Sequence, residues 1–301
     1  MRAVQFSEFG SAEQLQIVEA PMPEPGPGQV RVAVKAAGVN PLDWKIRRGF
    51  MTQIVPVDLP HTPGVEVAGV VDAVGEGAPF APGDEVFGWS RGSGSYAEYA
   101  LATVLAAKPA GLSWAAAAAL PVAGETALRA LNVLGVDTGD TVLINGASGA
   151  VGSLAVQFAV ARGAIVIGTT GEAGDDYVRS LGAVPIRYGE GLVQRVRAVA
   201  PQVDAVLDAA GSGVLPDAIE LRGGTDRVLT IADPAAIGLG VAFSSEGDES
   251  PALLADLAEQ AVSGKLRIKL GASFPLEQAA EAQNLSETGH SGGKLTIEVN
   301  A

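Results

Sequence analysis

Up to about residue 110 the apolar residues come at alternate positions or in short valine-rich runs broken by glycine and proline, the signature of a strand-rich region. Residues 30–36 (VRVAVKA) and 65–74 (VEVAGVVDAV) are the clearest strands, with turns expected at 21–28 and 81–83. SWAAAAAL at 113–120 predicts a helix start capped by Ser113, interrupted by Pro121. Apolar runs then alternate with helix-period segments. Strands are predicted at 141–144, 164–168, 184–186, 205–207 and 227–231, and helices at 151–162, 175–181, around 192–199, and at 251–262. Such alternation implies right-handed crossovers and a parallel, doubly wound sheet. GKLRIKL at 264–270 and GGKLTIEV at 292–299 read as strands again, so the chain is expected to return and complete its first domain. The domains predicted are 1–118 with 264–301, and 119–263.

Composition narrows the chemistry. With 48% apolar and 18% charged residues in 301, the chain has ample material for a buried core. Its net charge of -14 disfavours a nonspecific grip on nucleic acid or anionic lipid, so no such partner is expected. There is no cysteine and only His61 and His290, which excludes disulfides, thiolate zinc and a cysteine nucleophile. No signal-peptide pattern opens the chain and no run is long enough to span a bilayer, so a soluble, cytoplasmic protein is expected. The acidic stretch SSEGDES at 244–250 lacks calcium-loop spacing and reads as a solvated turn.

The sharpest local signal is TVLINGASGAVGSLAVQFA at 141–159, a buried strand entering a glycine-rich turn and then an apolar helix. In a dinucleotide fold this turn lets backbone N–H groups and the helix dipole approach a pyrophosphate. Ser148 replaces the second glycine of the usual fingerprint, and no Lys follows Gly152, which removes the P-loop reading. The candidate phosphate residues are Gly146, Ala147, Ser148, Gly149, Ala150, Val151 and Gly152. Ribose selection belongs at the end of the next strand, at Thr169 and Thr170, followed by Gly171 and Glu172.

AAGVNPLDWKIRRG (36–49), PGVEVAGVVDAVGEG (63–77), PGDEVFG (82–88), GSYAEYA (94–100), ALPVAGETALRAL (119–131), the glycine turn, VDAVLDAAG (203–211) and GKLTIEV (293–299) together cover most of the chain. The set resembles the zinc-independent quinone oxidoreductase branch, which includes zeta-crystallin, of the medium-chain dehydrogenase/reductase superfamily. The resemblance implies an α/β protein: a Rossmann doubly wound parallel sheet domain plus a strand-rich, GroES-like catalytic domain. It also implies an NADPH-dependent oxidoreductase that passes hydride to a quinone or an α,β-unsaturated carbonyl, built as a homodimer in which the apolar run 241–243 could supply an edge. Zinc alcohol dehydrogenases of the superfamily carry a ligand His where this chain has Val65, so no metal site is expected.

Site residues follow from the same resemblance. Asn40 is implied near the nicotinamide ribose, with Asp43 and Lys45 beside or beneath the reacting centre as hydrogen-bonding candidates; a surface or structural ion pair is the competing reading of these last two. Thr126 is a candidate contact to the nicotinamide amide or, alternatively, a helix cap. Arg187 and Tyr188 match the adenosine-phosphate end. Glu172, Asp175 and Asp176 depart from the Lys of many NADPH-using relatives, which keeps NADH as an alternative. Phe50, Met51 and Trp89 are candidates for the wall of an acceptor cavity, whose shape depends on the loops 50–60 and 90–95, or equally for ordinary packing. Tyr96 and Tyr99 read as strand core or interface, and His61 as a local loop residue. No Tyr has the Lys partner of a short-chain dehydrogenase, and no G-x-S-x-G occurs. An enoyl reductase acting on a biosynthetic intermediate, and a dinucleotide-binding sensor or structural protein with little turnover, remain as alternatives.

Overall fold

The computed structural model describes residues 1–90, 94–244 and 247–299. Residues 91–93 of the loop at 90–95 and residues 245–246 of the acidic stretch therefore lie outside the described residues. The chain forms two compact units, Met1–Val122 with Glu249–Ala301, and Ala123–Asp248. The chain thus leaves the second unit ahead of the expected position 264.

In the first unit, β1 (Arg2–Gln5) and β2 (Gln16–Glu19) pair antiparallel. The body of the unit begins with β3 (Val30–Gly38), α1 (Pro41–Arg47), β4 (Glu66–Val74), β5 (Glu85–Ser90), β6 (Tyr99–Ala107) and α2 (Trp114–Ala119). Strand β3 alternates buried and half-buried residues, as a strand with one face on a core must. It pairs with β4 along most of its length and with β6 over Val30 to Ala33, so β3, β4, β5 and β6 close on one another. Ser113 caps α2 as expected, accepting the Ala116 N–H at 3.2 Å. Pro121 ends that helix and opens the next, α3 (Pro121–Val133), where its missing N–H costs nothing.

The second unit contains β7 (Thr141–Asn145), α4 (Ala150–Ala161), β8 (Ile165–Thr170), α5 (Asp175–Ser180), β9 (Val184–Arg187), α6 (Leu192–Val199) and β10 (Ala205–Asp208). It finishes with α7 (Leu215–Arg222), β11 (Val228–Thr230), α8 (Ala236–Leu239) and β12 (Ala242–Phe243). All strand pairs are parallel, in the order β12-β11-β10-β7-β8-β9. Strand order reverses between β7 and β10, the point at which open α/β sheets bind ligands beyond their carboxyl ends. Within the run 241–243, Ala242 and Phe243 are the edge strand of this sheet.

The chain then re-enters the first unit through α9 (Pro251–Val262), whose Leu254, Leu257 and Ala258 are buried. It ends with β13 (Leu270–Pro275), α10 (Ala279–Glu287) and β14 (Lys294–Glu298), the last lying between β13 and β3. The strand expected at 264–270 begins only at Leu270. Residues 265–269 are charged at three of five positions and make no ladder.

Candidate active site

In the second unit a chain of polar side chains runs across the carboxyl ends of four adjacent strands. Thr169, ending β8, accepts the Gly146 N–H at 3.0 Å and donates to Asn145 Oδ1 at 2.6 Å. Asn145 Nδ2, ending β7, donates to Asp208 Oδ1 at 2.9 Å across the switch point. Asp208, ending β10, also accepts the Ala210 and Gly211 N–H groups and, at 2.8 Å, the Thr230 hydroxyl of β11. All four side chains are buried. Each buried polar group here has a partner, which is what makes such a network rigid rather than costly.

The network fixes the glycine turn. Gly146 has φ +80°, a left-handed conformation suited to glycine. A Cβ on Gly152 would lie 2.1 Å from the Gly146 carbonyl oxygen, so helix α4 packs onto the turn with no room for a side chain. The N–H groups of Gly146 and Ala147 are both taken by Thr169 and serve the turn. Ala150, Val151 and Gly152 form the first turn of α4, whose N–H groups have no helical carbonyl to meet and are suited to an anion. The cradle therefore fits a pyrophosphate. Thr170 is buried beside the turn, and Ser148 is half-buried within it. Arg187 pairs with Asp175, which raises the guanidinium pKa and holds the Asp175 carboxyl below its usual range, while Tyr188 is exposed.

Thr126 lies inside α3, five residues beyond its first residue, so it is not a helix cap. It sits beside the buried Glu125–Arg129 pair at 2.9 Å, and the Asp248 N–H meets Glu125 at 3.2 Å.

In the first unit Asn40 is the residue before α1, and Pro41 is at its first position. Asn-Pro ahead of an amphipathic stretch is a helix-start signal that locates α1 in the sequence. The Asn40 N–H donates to Asp43 Oδ2 at 2.8 Å, as in the return half of a capping box. Its carboxamide is held between charges: Nδ2 donates to Glu66 Oε2 at 2.7 Å, and Lys294 Nζ donates to Oδ1 at 2.5 Å. Below it, α1 is pinned by the buried Arg47, which donates to Gln283 and the Gly10 carbonyl and pairs with Glu287.

Asp43 is buried, and its Oδ2 also accepts the Tyr96 hydroxyl at 2.9 Å. Its Oδ1 has no hydrogen-bond partner. Burial pushes the carboxyl up to about 7, against the lowering effects of the Asn40 and Tyr96 bonds and of Lys294. Burial likewise drives the Tyr96 phenol well above its ordinary value. Asp43 lies on the wall of a cavity of about 560 Å³ with Val55, Val57, His61, Val65 and Ser90. Neither an ion pair nor a surface position describes Asp43. Lys45 is half-buried, its Nζ 5.7 Å from the Trp44 ring centre, and burial lowers its pKa.

Trp89 is buried in β5, Phe50 is exposed and tilts edge-on against Trp44, and Met51 packs against the core, so none of them forms the cavity wall. Tyr96 is buried in a bend before β6 rather than in a strand, and its hydroxyl bonds Asp43. His61 does lie in a loop, bridged to Phe6, but it also faces the cavity. Glu66 and Lys294 escaped the sequence reading because each stands at the start of a strand, where a charged residue looks like a solvated end.

Comparisons with known proteins give the family. Residues 26–110 match the family described as alcohol dehydrogenase GroES-like domain, and residues 181–297 match zinc-binding dehydrogenase. A quinone oxidoreductase of Lama guanicoe is 34% identical, with 99% of this chain and 97% of the relative covered. The structure of a quinone oxidoreductase from Coxiella burnetii superposes with a TM-score of 0.92 at 34% identity, covering 100% of this chain and 99% of that one. A mycobacterial structure complexed with NADPH superposes with a TM-score of 0.86 at 26% identity, covering 99% of this chain and all of that one. The fold and the phosphate cradle define a dinucleotide-dependent oxidoreductase. The chain belongs to the medium-chain dehydrogenase/reductase family, in its zinc-independent quinone oxidoreductase branch.

Proposed function

We propose that the chain reduces quinones, or α,β-unsaturated carbonyl compounds of similar electrophilicity, with NADPH as the preferred reductant. The observation that carries this reading is the cavity of the first unit. It presents Val65, where zinc-dependent relatives place a metal ligand, and beside it the buried carboxyl of Asp43. Without a Lewis acid for an alkoxide, an acceptor that is already electrophilic is the better match. When bound, the reduced nicotinamide supplies a hydride, that is, two electrons and one proton's mass, to the acceptor carbon. Negative charge then develops on the acceptor's oxygen, and one proton must be added to give the hydroquinone or the saturated carbonyl.

Asp43 is suited to hold that proton. Its Oδ2 accepts two hydrogen bonds, so in the neutral carboxyl the proton resides on Oδ1, a buried atom with no protein partner, and its delivery to an acceptor requires that the cavity wall open onto it. A donor placed where charge develops lowers the barrier more than it strengthens substrate binding. Lys45 is the second candidate donor, its ammonium partly desolvated. Asn40 and Thr126 are assigned to the nicotinamide end. The pyrophosphate is assigned to the first-turn N–H groups of Ala150, Val151 and Gly152, with Gly146, Ala147, Ser148 and Gly149 shaping the turn that presents them, and the adenosine end to Thr169, Thr170, Arg187 and Tyr188. A homodimer and a cytoplasmic location complete the reading by family resemblance; the exposed Phe243 on edge strand β12 supports the dimer.

The test is NADPH and NADH oxidation against ortho- and para-quinones and short enones, with Asn40→Ala and Lys45→Ala beside the wild type. Quinone turnover, reduced in both variants, is expected. Binding of both cofactors without consumption of either would overturn the reductase and leave a sensor. The same assay addresses the cofactor. Asp175 neutralises Arg187, so Asp175→Ser is expected to raise the NADPH-to-NADH ratio of kcat/KM about tenfold, the worth of one charge-assisted bond to a 2′-phosphate. An unchanged ratio would remove Arg187 from the adenosine site.

A further inference from the structure

Asn40, Glu66 and Lys294 form a closed triangle of buried polar groups. Lys294 Nζ lies 2.5 Å from Glu66 Oε2 and donates to Asn40 Oδ1 at the same distance, and Asn40 Nδ2 donates to Glu66 Oε2 at 2.7 Å. The three residues are 4%, 0% and 4% exposed. Space for the carboxylate is built into the backbone, since a Cβ on Gly38 would lie 2.1 Å from Glu66 Oε2. The other carboxylate oxygen accepts the Val122 N–H at 2.7 Å in the first turn of α3.

A buried ion pair is poor value as a source of stability, because desolvation cancels most of the attraction and apolar replacements are often neutral. Its effect on a carboxamide between the two charges is directional. The cation meets the carbonyl oxygen and the anion meets the amino group, so turning the amide by 180° would oppose like polarities on both sides. One N–H of Nδ2 and one lone pair of Oδ1 remain for a ligand, each with a set direction.

We propose that Lys294 and Glu66 are positioning residues for Asn40, locking its carboxamide in the one orientation that presents a fixed donor and acceptor to the nicotinamide end of the dinucleotide. The inference rests on the assignment of Asn40 to that end. It gives charged residues on β4 and β14 a role in hydride transfer through the group they hold.

The decisive variant is Lys294→Met with Glu66→Gln, which removes both charges together and leaves no uncompensated ion. Two readouts are taken. In the 15N-labelled, cofactor-free protein, the Asn40 side-chain amide resonances are assigned by their loss in Asn40→Ala. Their exchange with solvent is expected to be at least tenfold faster in the double variant. In steady state, kcat is expected to fall between 10- and 100-fold, as for a misoriented reacting group, with the quinone KM within about threefold of wild type. Unchanged amide exchange, or a kcat within twofold of wild type while Asn40→Ala is impaired, overturns the positioning role alone. Full turnover by Asn40→Ala would instead sink the underlying site assignment. Should the double variant lose cooperative melting, Lys294→Gln with Glu66→Gln, which also removes both charges but keeps polar groups in the cluster, is read in the same two ways.

Discussion

Replacing Gly152 by valine is expected to weaken dinucleotide binding at least 100-fold and to lower stability by about 3 kcal/mol, at the upper end of overpacking costs. The new Cβ would sit 2.1 Å from the Gly146 oxygen and 2.8 Å from its carbonyl carbon, with the Ala147 Cα at 3.1 Å. These are backbone atoms held by Thr169, so the clash cannot be relieved by a rotamer change. Either α4 lifts from the turn or the turn leaves its left-handed conformation, and both move the N–H groups of Ala150 to Gly152. Gly238→Ala is the control, because a Cβ there meets nothing within 4 Å, and it should stay within about 0.5 kcal/mol of wild type. Cofactor titration by fluorescence and urea unfolding measure the two effects. Wild-type affinity in Gly152→Val would show that the turn does not hold the cofactor.

The second large effect is expected from Asp43→Asn, read against pH. The folded-state carboxyl titrates at about 7 and the unfolded one near 3.8. A folded pKa raised in this way contributes stability in full below the unfolded value and loses it as pH rises through the folded value. Between pH 5 and 7 the wild type should therefore lose about 2 kcal/mol relative to Asp43→Asn, the slope of about 1.4 kcal/mol per unit flattening as the folded carboxyl ionises. Asparagine keeps an acceptor for Asn40 and Tyr96 but carries no titrating proton. Quinone reduction by the wild type should fall as pH rises through 7. The variant should be about 100-fold slower, within the usual range for loss of a general acid, and flat across that window. Parallel stability curves would show that the carboxyl is already ionised at pH 5, and a shared fall in rate would place the proton donor elsewhere.

Much of the second unit is legible in the chain because its strands are buried on both faces and read as uninterrupted apolar runs. The helix at 251–262 is recovered to the residue. Helices α7 and α10 are not, since LPDAIELR and AAEAQNLSE carry weak apolar periodicity between loops. Individual candidates such as Asn40 and Asp43 are reached through the family resemblance, but their partners are not. Asn40 meets Lys294 at a separation of 254 residues, and Arg47 meets Gln283 at 236. Contacts so remote leave no local trace in composition or period. Tyr96 shows the same limit: its burial is readable from its strand-like neighbourhood, whereas the direction of its hydroxyl depends on where α1 lies.

The division of the first unit into two stretches of chain sets an order for its assembly during synthesis. Strand β3 pairs Gly38 with Thr296, and β14 separates it from β13. The Ala36–Gly38 end of β3 therefore lacks its β14 neighbour until residues 296–298 have been made, while the contiguous stretch Ala123–Asp248 precedes them and can fold first. The lysine at the head of β14 is made after all of that stretch, so a nascent chain carries its glycine turn and α4 well before it carries a completed Asn40 cluster.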